Sequence, residues 1–460
     1  MGTSQATVEA LGSSSAPTRL GLRLRLGWAV GSLGVGTLFN GVGFMLLFYL
    51  TTILGIEPAL AGSLIFASKL YDMVTDPLMG WTSDRTRSRY GRRRPYLLAG
   101  GILCAAAMTM LFTDSGLAGG GQLAYVMAGL LLYATGYTVF NVPYMAMPAE
   151  MTLDPFERSR LMSLRVIFLM LGQLCGLALV PALLSAFGSG AEAYAKTSWI
   201  LAAIILVSMS LAFFGTADAY QTQRDINAPP LREQVKSALG NRPFFLLVCS
   251  KFAQLFGLAS AAGSSLFLIK MVLLRPESDL AGFSLAATFS TIAAMPLWLR
   301  MSKAIGKRYT YFLGAALFIV AKLSWLLATT DEPQLIFLSR GLLFGLAAGG
   351  ILLIAQSMLP DTIQHDFDRT GLRREGVFAA MYSFAEKTAF ALGPLVFGVI
   401  LSVMGFEAAA GNTQSAEAQQ GIMMGVVWVP ILATTVSALA LIPYRLDLNA
   451  TSPHRDEESR

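Results

Sequence analysis

Charge is scarce in this sequence. Asp, Glu, Lys and Arg make up 13% of its 460 residues, against about a quarter in a soluble domain, whose surface must face water. Too little polar material is present to cover a water-soluble globule of this size. Three cysteines, Cys104, Cys175 and Cys249, lie inside apolar runs without paired spacing. That argues against a disulfide framework or a zinc site and favours small apolar core residues. No Gly-x-x-x-x-Gly-Lys phosphate loop and no nucleophile–base set occurs, which argues against a P-loop pump and against an enzyme. What is present is apolar: 54% of residues, with a mean hydropathy of +0.58. The net charge of +6 sits in short clusters between apolar runs. That is the pattern of membrane-surface charge, so lipid rather than nucleic acid is the expected partner.

The first eighteen residues are polar and Ser/Thr-rich, ending near Arg19, Arg23 and Arg25. The first apolar stretch then runs to about Leu50 without a cleavage-type site, so its helix is expected to be structural. Runs long enough to cross the roughly 30 Å hydrocarbon core fall near 27–50, 58–82, 95–113, 122–148, 161–187 and 197–215. After a polar stretch, others follow near 243–270, 281–301, 309–329, 334–359, 377–404 and 422–443. The expectation is an all-α membrane protein with twelve transmembrane helices in two pseudo-symmetric bundles.

Loop charge orients the spans. Six arginines lie between Arg85 and Arg94; Arg158 and Arg160 follow span four. Arg300, Lys303, Lys307 and Arg308 follow span eight, and Arg369, Arg373 and Arg374 follow span ten. Loops 51–57, 114–121, 330–333 and 405–420 hold no Lys or Arg. This alternation places the rich loops and both termini in the cytoplasm of a plasma-membrane protein, the inner membrane if the source is bacterial. The expected divisions are a cytoplasmic tail 1–26, a bundle 27–215, a central cytoplasmic loop 216–242, a bundle 243–443 and a cytoplasmic tail 444–460. Within the central loop, Leu231–Leu239 has the pattern of a short amphipathic helix.

A faint repeat links the halves. Gly91-Arg92-Arg93-Arg94 opens span three and Gly306-Lys307-Arg308 opens span nine. Pro148 near the end of span four matches Pro360 near the end of span ten. Two like six-helix halves with a site between them at mid-depth are the architecture of a rocking transporter.

Ionisable groups inside spans are costly unless paired or wet, so they are informative. Asp72 and Asp76 lie one turn apart on span two, with Thr75 beside them. Such carboxylates repel unless a cation lies between them or one holds a proton, the chemistry of a Na⁺, Li⁺ or H⁺ site. The alternative is that Asp76, preceding Pro77, caps a broken helix. Glu386 and Lys387 lie deep in span eleven; Lys387 needs a carboxylate, and Asp72 or Asp76 on a facing helix would supply one. A local structural pair is the plainer reading. Arg165, early in span five, suits sugar hydroxyls or an anionic group, or snorkels to the membrane surface. Tyr137, Thr138 and Asn141 lie on span four, where Thr138 and Asn141 can share a cavity or hydrogen-bond between helices. Lys69 and Lys251 receive no role from the sequence, and His365 is expected to be a solvated loop residue.

These residues carry a resemblance. Tyr71-Asp-Met-Val-Thr-Asp-Pro-Leu-Met-Gly80, continuing through Trp81 to Arg92-Arg-Arg-Pro95, resembles the glycoside–pentoside–hexuronide:cation symporters, the melibiose permease branch of the major facilitator superfamily. Asn141-Val-Pro-Tyr144, with Glu150-Met-Thr and Glu157-Arg-Ser-Arg-Leu161, agrees with it. So does Asp361 through Arg369-Thr-Gly-Leu-Arg-Arg-Glu-Gly376, leading to Lys387. The resemblance implies that Asp72, Thr75, Asp76 and Thr138 are cation ligands and that Lys387 and Arg165 are the family's span-eleven lysine and span-five arginine. It also implies a gating motif of Asp84, Arg85, Arg92 and Arg93. Departures are equally plain. The span-one region Gly36-Thr-Leu-Phe-Asn40 has no acid, the span-four aspartate is Asn141, and the span-ten tryptophan falls near Leu352. Galactoside ligands are largely lost while cation ligands are kept.

The expected function is cation-coupled symport of a glycoside, oligosaccharide or sugar acid, with Asn40, Tyr137, Asn141, Arg165 and Lys387 binding substrate. Lys387, Asp72 and Asp76 would couple the ion. Na⁺ or H⁺ is the only cofactor expected, and a monomer the expected working unit. The alternatives are a lysolipid or other amphiphile carrier of the same fold, and a non-transporting membrane sensor.

Overall fold

A computed structural model describes residues 20–152, 155–188, 190–219, 240–370, 375–444 and 446. Arg19, Arg373, Arg374, the side chain of Arg158, the Leu231–Leu239 segment and most of both tails lie outside the described residues.

The described residues form twelve long helices. The first six are α1 (Leu22–Ile53), α2 (Pro58–Arg85), α3 (Arg94–Leu111), α4 (Gly120–Met151), α5 (Arg160–Phe187, entered from Pro155) and α6 (Ala191–Gly215). The second six are α7 (Arg242–Val272), α8 (Glu277–Ile305), α9 (Lys307–Leu327), α10 (Gln334–Thr370), α11 (Glu375–Val403) and α12 (Ala416–Ala440). Eleven contain segments long and apolar enough to cross a membrane. The twelfth, α2, has the length, but Lys69, Asp72 and Asp76 dilute its apolar character. Phe289, Leu327, Leu335 and Val403 remain largely exposed, acceptable in lipid and costly in water.

Two of the differences from the sequence expectation bear on named residues. Helix α10 continues past Pro360 to Thr370, so His365 and Arg369 lie on a helix rather than in a loop. Helix α6 begins at Ala191, with Glu192 paired to Lys196 at its start; the polar first turns had masked it.

The halves repeat each other in packing. Helix α1 packs on α5 and α6, α2 on α4, and α3 on α4 and α6; six positions later, α7 packs on α11 and α12, α8 on α10, and α9 on α10 and α12. The most extensive helix–helix contacts between halves are α1 with α7, α2 with α11, and α5 with α8, a set that maps onto itself when the halves are exchanged.

A second repeat, missed in the sequence, marks the ends of α1 and α7. Phe48-Tyr-Leu-Thr-Thr-Ile-Leu-Gly55 matches Phe267-Leu-Ile-Lys-Met-Val-Leu-Leu274. Both segments end in a widened π turn: Leu54 N donates to Tyr49 O at 3.0 Å, and Leu273 N to Leu268 O at 2.9 Å. The next residue is left-handed in each, Gly55 at φ +68° and Leu274 at φ +51°. Beyond Phe48/Phe267 and Leu54/Leu273, what is preserved is mainly backbone and spacing, which is why a residue-by-residue reading passes over it.

The halves abut at the end that carries the Arg-poor loops. A Cβ on Gly62 of α2 would lie 2.9 Å from Leu395 Cα of α11, and Gly398 of α11 meets the Pro58 carbonyl. Small residues permit this backbone approach. Ser402 Oγ there accepts from Ala59 N at 3.0 Å and donates to Glu57 Oε1 at 2.9 Å. Phe48 and Phe267 pack edge to face at 4.9 Å between α1 and α7.

Candidate cation and substrate site

The centre of the molecule is built on α2. One turn separates Asp72 and Asp76, so both project toward α4, where Thr138 is buried between them. Thr138 Oγ1 lies 3.3 Å from Asp72 Oδ1 and 2.7 Å from Asp76 Oδ1. Its single proton serves one carboxylate at a time. The remaining oxygens meet ammonium groups. Lys69 Nζ is 3.3 Å from Asp72 Oδ2, and Lys387 Nζ pairs with Asp76 Oδ2 across the boundary between halves. Three of the four carboxylate oxygens therefore have a donor at any one time, and two lysines supply the positive charge that the close acids require.

Of the residues read as cation ligands, the structure brings Asp72, Asp76 and Thr138 together. Thr75 is turned along its own helix, donating to Tyr71 O at 3.1 Å and Asp72 O at 3.3 Å. The capping reading of Asp76 does not hold, because α2 passes unbroken through Pro77 to Arg85. Lys69 is the member that sequence reasoning missed. Its ammonium also lies 3.4 Å from the Tyr133 hydroxyl and 4.5 Å from that ring's centre. The available signal was its three-residue spacing from Asp72, a same-face relation on a helix.

The residues read as substrate ligands surround this cluster. Tyr137 lies one residue before Thr138, its ring centre 6.0 Å from Lys387 Nζ. Asn40 on α1 is half-buried and donates to Gly36 O at 2.9 Å. Buried Asn141 Oδ1 and Arg165 Nε have no hydrogen-bond partner among the described residues. Arg165 stands within electrostatic reach of Tyr137 and Tyr144. Buried polar atoms without partners are costly in a finished core and useful where a ligand completes them. Tyr144 itself is structural: it stacks on Trp28 at 4.7 Å and bonds Ser32 Oγ at 2.6 Å, pinning α1 to α4.

Glu386 turns away from Lys387 into its own half and pairs with Lys251 of α7 at 3.5 Å. Adjacent helical residues point about 100° apart, so α11 directs one charge to each half.

At the Arg-rich end, Arg93 bridges Asp84 Oδ1 at 2.9 Å and Glu150 Oε1 at 2.8 Å, while Arg92 also pairs with Glu150. Burial lowers the Arg93 pKa from its ordinary value, opposed by the adjacent Glu150 and Asp84. Arg85 stands outside this set, its guanidinium 3.9 Å above the Trp81 ring. Glu150 is the added member. In the second half Lys307 pairs with Asp361 at 2.5 Å, so the faint sequence repeat is realised as equivalent ion pairs between α3 and α4 and between α9 and α10.

The chain is 27% identical over 428 residues to an isoprimeverose transporter of Lactiplantibacillus pentosus, covering 92% of this chain and 88% of that one. It is 25% identical over 421 residues to a glucuronide carrier protein homolog of Escherichia coli (strain K12), covering 90% of each. Among solved structures, a bacterial homolog of the human lysosomal transporter Spinster, inward-facing and unoccupied, superposes with a TM-score of 0.65 at 13% identity, covering 93% of this chain and 96% of that one. The nucleoside transporter NupG gives a TM-score of 0.65 at 11% identity, covering 91% and 99%. At those identities the likeness shows the fold alone. The description MFS/sugar transport protein matches residues 27–448, and the chain belongs to that family of membrane transporters.

Proposed function

We propose that this transporter carries a sugar-like solute together with a cation, Na⁺ or H⁺, by alternating access. The observation that carries this reading is the cluster of Asp72, Asp76 and Thr138 with Lys387 reaching in from the other half. A cation entering beside Asp76, or a proton taken up on it, competes with Lys387 for the same oxygen. The released ammonium is then free to meet substrate in the space between the halves. Ion and substrate thus each favour the other's binding, the reciprocity that coupling requires. Structural cores pair charges within one folding unit; a charge pair across the boundary that must move suits a coupling device.

Among relatives, the names isoprimeverose transporter and glucuronide carrier homolog support a sugar-like cargo. The unpartnered polar atoms of Asn141 and Arg165 favour it over a lipid-like one. The alternation of Lys and Arg between loops supports a cytoplasmic position for the Arg-rich loops and both termini. On that orientation the outer ends of α2 and α11 are packed together and the present state faces inward. The protein resides in the plasma membrane and works as a monomer.

The test is accumulation of isoprimeverose and of a methyl glucuronide in proteoliposomes under an imposed Na⁺ or pH gradient. Accumulation that persists after both gradients are collapsed would refute coupling. The absence of uptake for every glycoside and sugar acid tried would refute the cargo.

A further inference from the structure

Helix α2 begins without a cap of its own. Glu57 stands at the N-cap position, yet its side chain makes no capping bond, and no acid lies in the first turn. Pro58 at the first position has no N–H, so Ala59 presents the first backbone donor of the helix. A serine at the N-cap ordinarily accepts from this second position of its own helix. Here the acceptor comes from the other half: Ser402 Oγ, near the end of α11, lies 3.0 Å from Ala59 N. Glu57 Oε1 takes the Ser402 proton at 2.9 Å, which turns the lone pairs of the hydroxyl toward Ala59. Helix α8, which holds the place of α2 in the second half, starts differently, with Glu277 and Asp279 in its own first turn. Acids there favour a helix start locally.

The Ser402 bond is one of two polar links between the same pair of helices. Lys387 meets Asp76 near mid-length, and Ser402 meets Ala59 fifteen residues further along α11 and seventeen residues back along α2. At 1.5 Å per residue the two links stand about 22–26 Å apart. Between them, Gly62 and Gly398 let the backbones touch. On the coupling reading, an ion at Asp76 frees Lys387, and that exchange leaves the link at Ser402 in place. Opening of the Arg-poor end breaks it. Ala59 N then turns to water, and α2 loses the advantage that a fixed acceptor gives a helix start.

We propose that Ser402 is a positioning residue of the transport cycle, a latch that holds the Arg-poor end closed by capping α2 from the opposite half. The proposal rests on the reading of alternating access and adds the group that sets the energy of the closed side. Ser402 touches neither ion nor solute; it acts through the start of the helix that carries Asp72 and Asp76.

The test uses the full-length protein in lipid nanodiscs without added solute. The three native cysteines are replaced by alanine, and spin labels are attached at Leu117→Cys and Ala409→Cys, exposed positions at the Arg-poor end of each half. Ser402→Ala is expected to raise the ratio of long to short distances by roughly 2–30-fold, the range spanned by loss of a helix cap. Ser402→Thr, which keeps the hydroxyl, stays near the parent. Glu57→Ser gives α2 a cap of its own; it should shift the distances the same way while the thermal midpoint is kept. A residue that only stabilised α2 would behave otherwise, because Glu57→Ser would then return the Ser402→Ala distances to those of the parent. That return, or parental distances in both Ser402→Ala and Glu57→Ser, would overturn the proposal. The Glu57→Ser arm keeps the test decisive should Ser402→Ala fold poorly. Cargo and coupling do not enter these distances, so an uncoupled carrier in the vesicle assay leaves the latch standing. A single short distance in every variant, Gly398→Val included, would remove both the latch and alternating access at this end.

Discussion

Lys387 on α11 completes its ion pair with Asp76 on α2, joining the two halves of the transporter at the level of Asp72 and Asp76. The pair links parts that must separate and rejoin in each transport cycle. Removing one partner leaves the other charge without a match at mid-membrane, whereas removing both leaves none. Lys387→Met and Asp76→Asn are each expected to lower stability by about 1–3 kcal/mol, below the full value for a buried pair because both side chains are partly exposed. The double variant should lose less than the sum of the two. Thermal midpoints of the four proteins form the double-mutant cycle that checks this, and strict additivity would show that the pair is not coupled.

At the packed end, Gly398 of α11 lies against the Pro58 carbonyl of α2 with no room for a Cβ. Gly398→Val should wedge these ends apart and shift the population toward a state open on that side. Spin labels placed at the Arg-poor ends of α2 and α11 would report a longer distance in the variant. An unchanged distance distribution would mean that the helices slide to absorb the side chain.

Glu150 holds Arg92 and Arg93 together, and Arg93 carries the link on to Asp84 of α2. Glu150→Gln removes the charge from two ion pairs at once and should destabilise the first half by about 2 kcal/mol, the scale of a hydrogen bond to a charged group. Arg85→Gln, which among the described residues loses a contact with Trp81, should change stability by less than about 0.5 kcal/mol. Unfolding midpoints would rank the two variants; equal losses would show that the Arg93 network has no special weight.

Leu274 holds a left-handed backbone at φ +51°, where the matching position of the first half is Gly55. Its side chain is 61% exposed, so little packing is lost on removing it. Leu274→Gly should raise stability by about 0.5–1 kcal/mol, the left-handed penalty less the entropy of a freer unfolded chain. Gly55→Leu should lower it by a similar amount. A lower midpoint for Leu274→Gly would show that the leucine makes contacts that outweigh its strain.

The spans were legible in the sequence because the membrane demands a run of apolar residues long enough to cross it, a property of composition within one segment. The exception is instructive: α2 is the least apolar span because Lys69, Asp72 and Asp76 sit in it, and those same residues build the site. The gating repeat at Gly91 and Gly306 was readable because Gly and the basic residues are conspicuous. The π-turn repeat at Phe48 and Phe267 was not, because its likeness lies in backbone geometry that leucine and glycine can both adopt. His365 read as a loop residue because charge after Pro360 looks like an ending, yet helix α10 carries polar residues past that proline to Thr370.

The site was half legible. Asp72 and Asp76 declared themselves through charge and spacing on one helix, and the need of Lys387 for an acid was evident. Lys69 and Lys251 were visible as charges without a role, because a partner's identity depends on which face of which helix it meets. Only packing decided that Lys387 takes Asp76 while its neighbour Glu386 takes Lys251, that Thr75 turns to its own backbone, and that Arg165 meets no acid among the described residues. The sequence by itself determined an integral membrane protein of long helices with rare charges at mid-depth, since lipid penalises charge locally, residue by residue. The tertiary structure alone decided how those charges neutralise one another, because ion pairing acts over a few ångströms between helices that lie far apart in the chain.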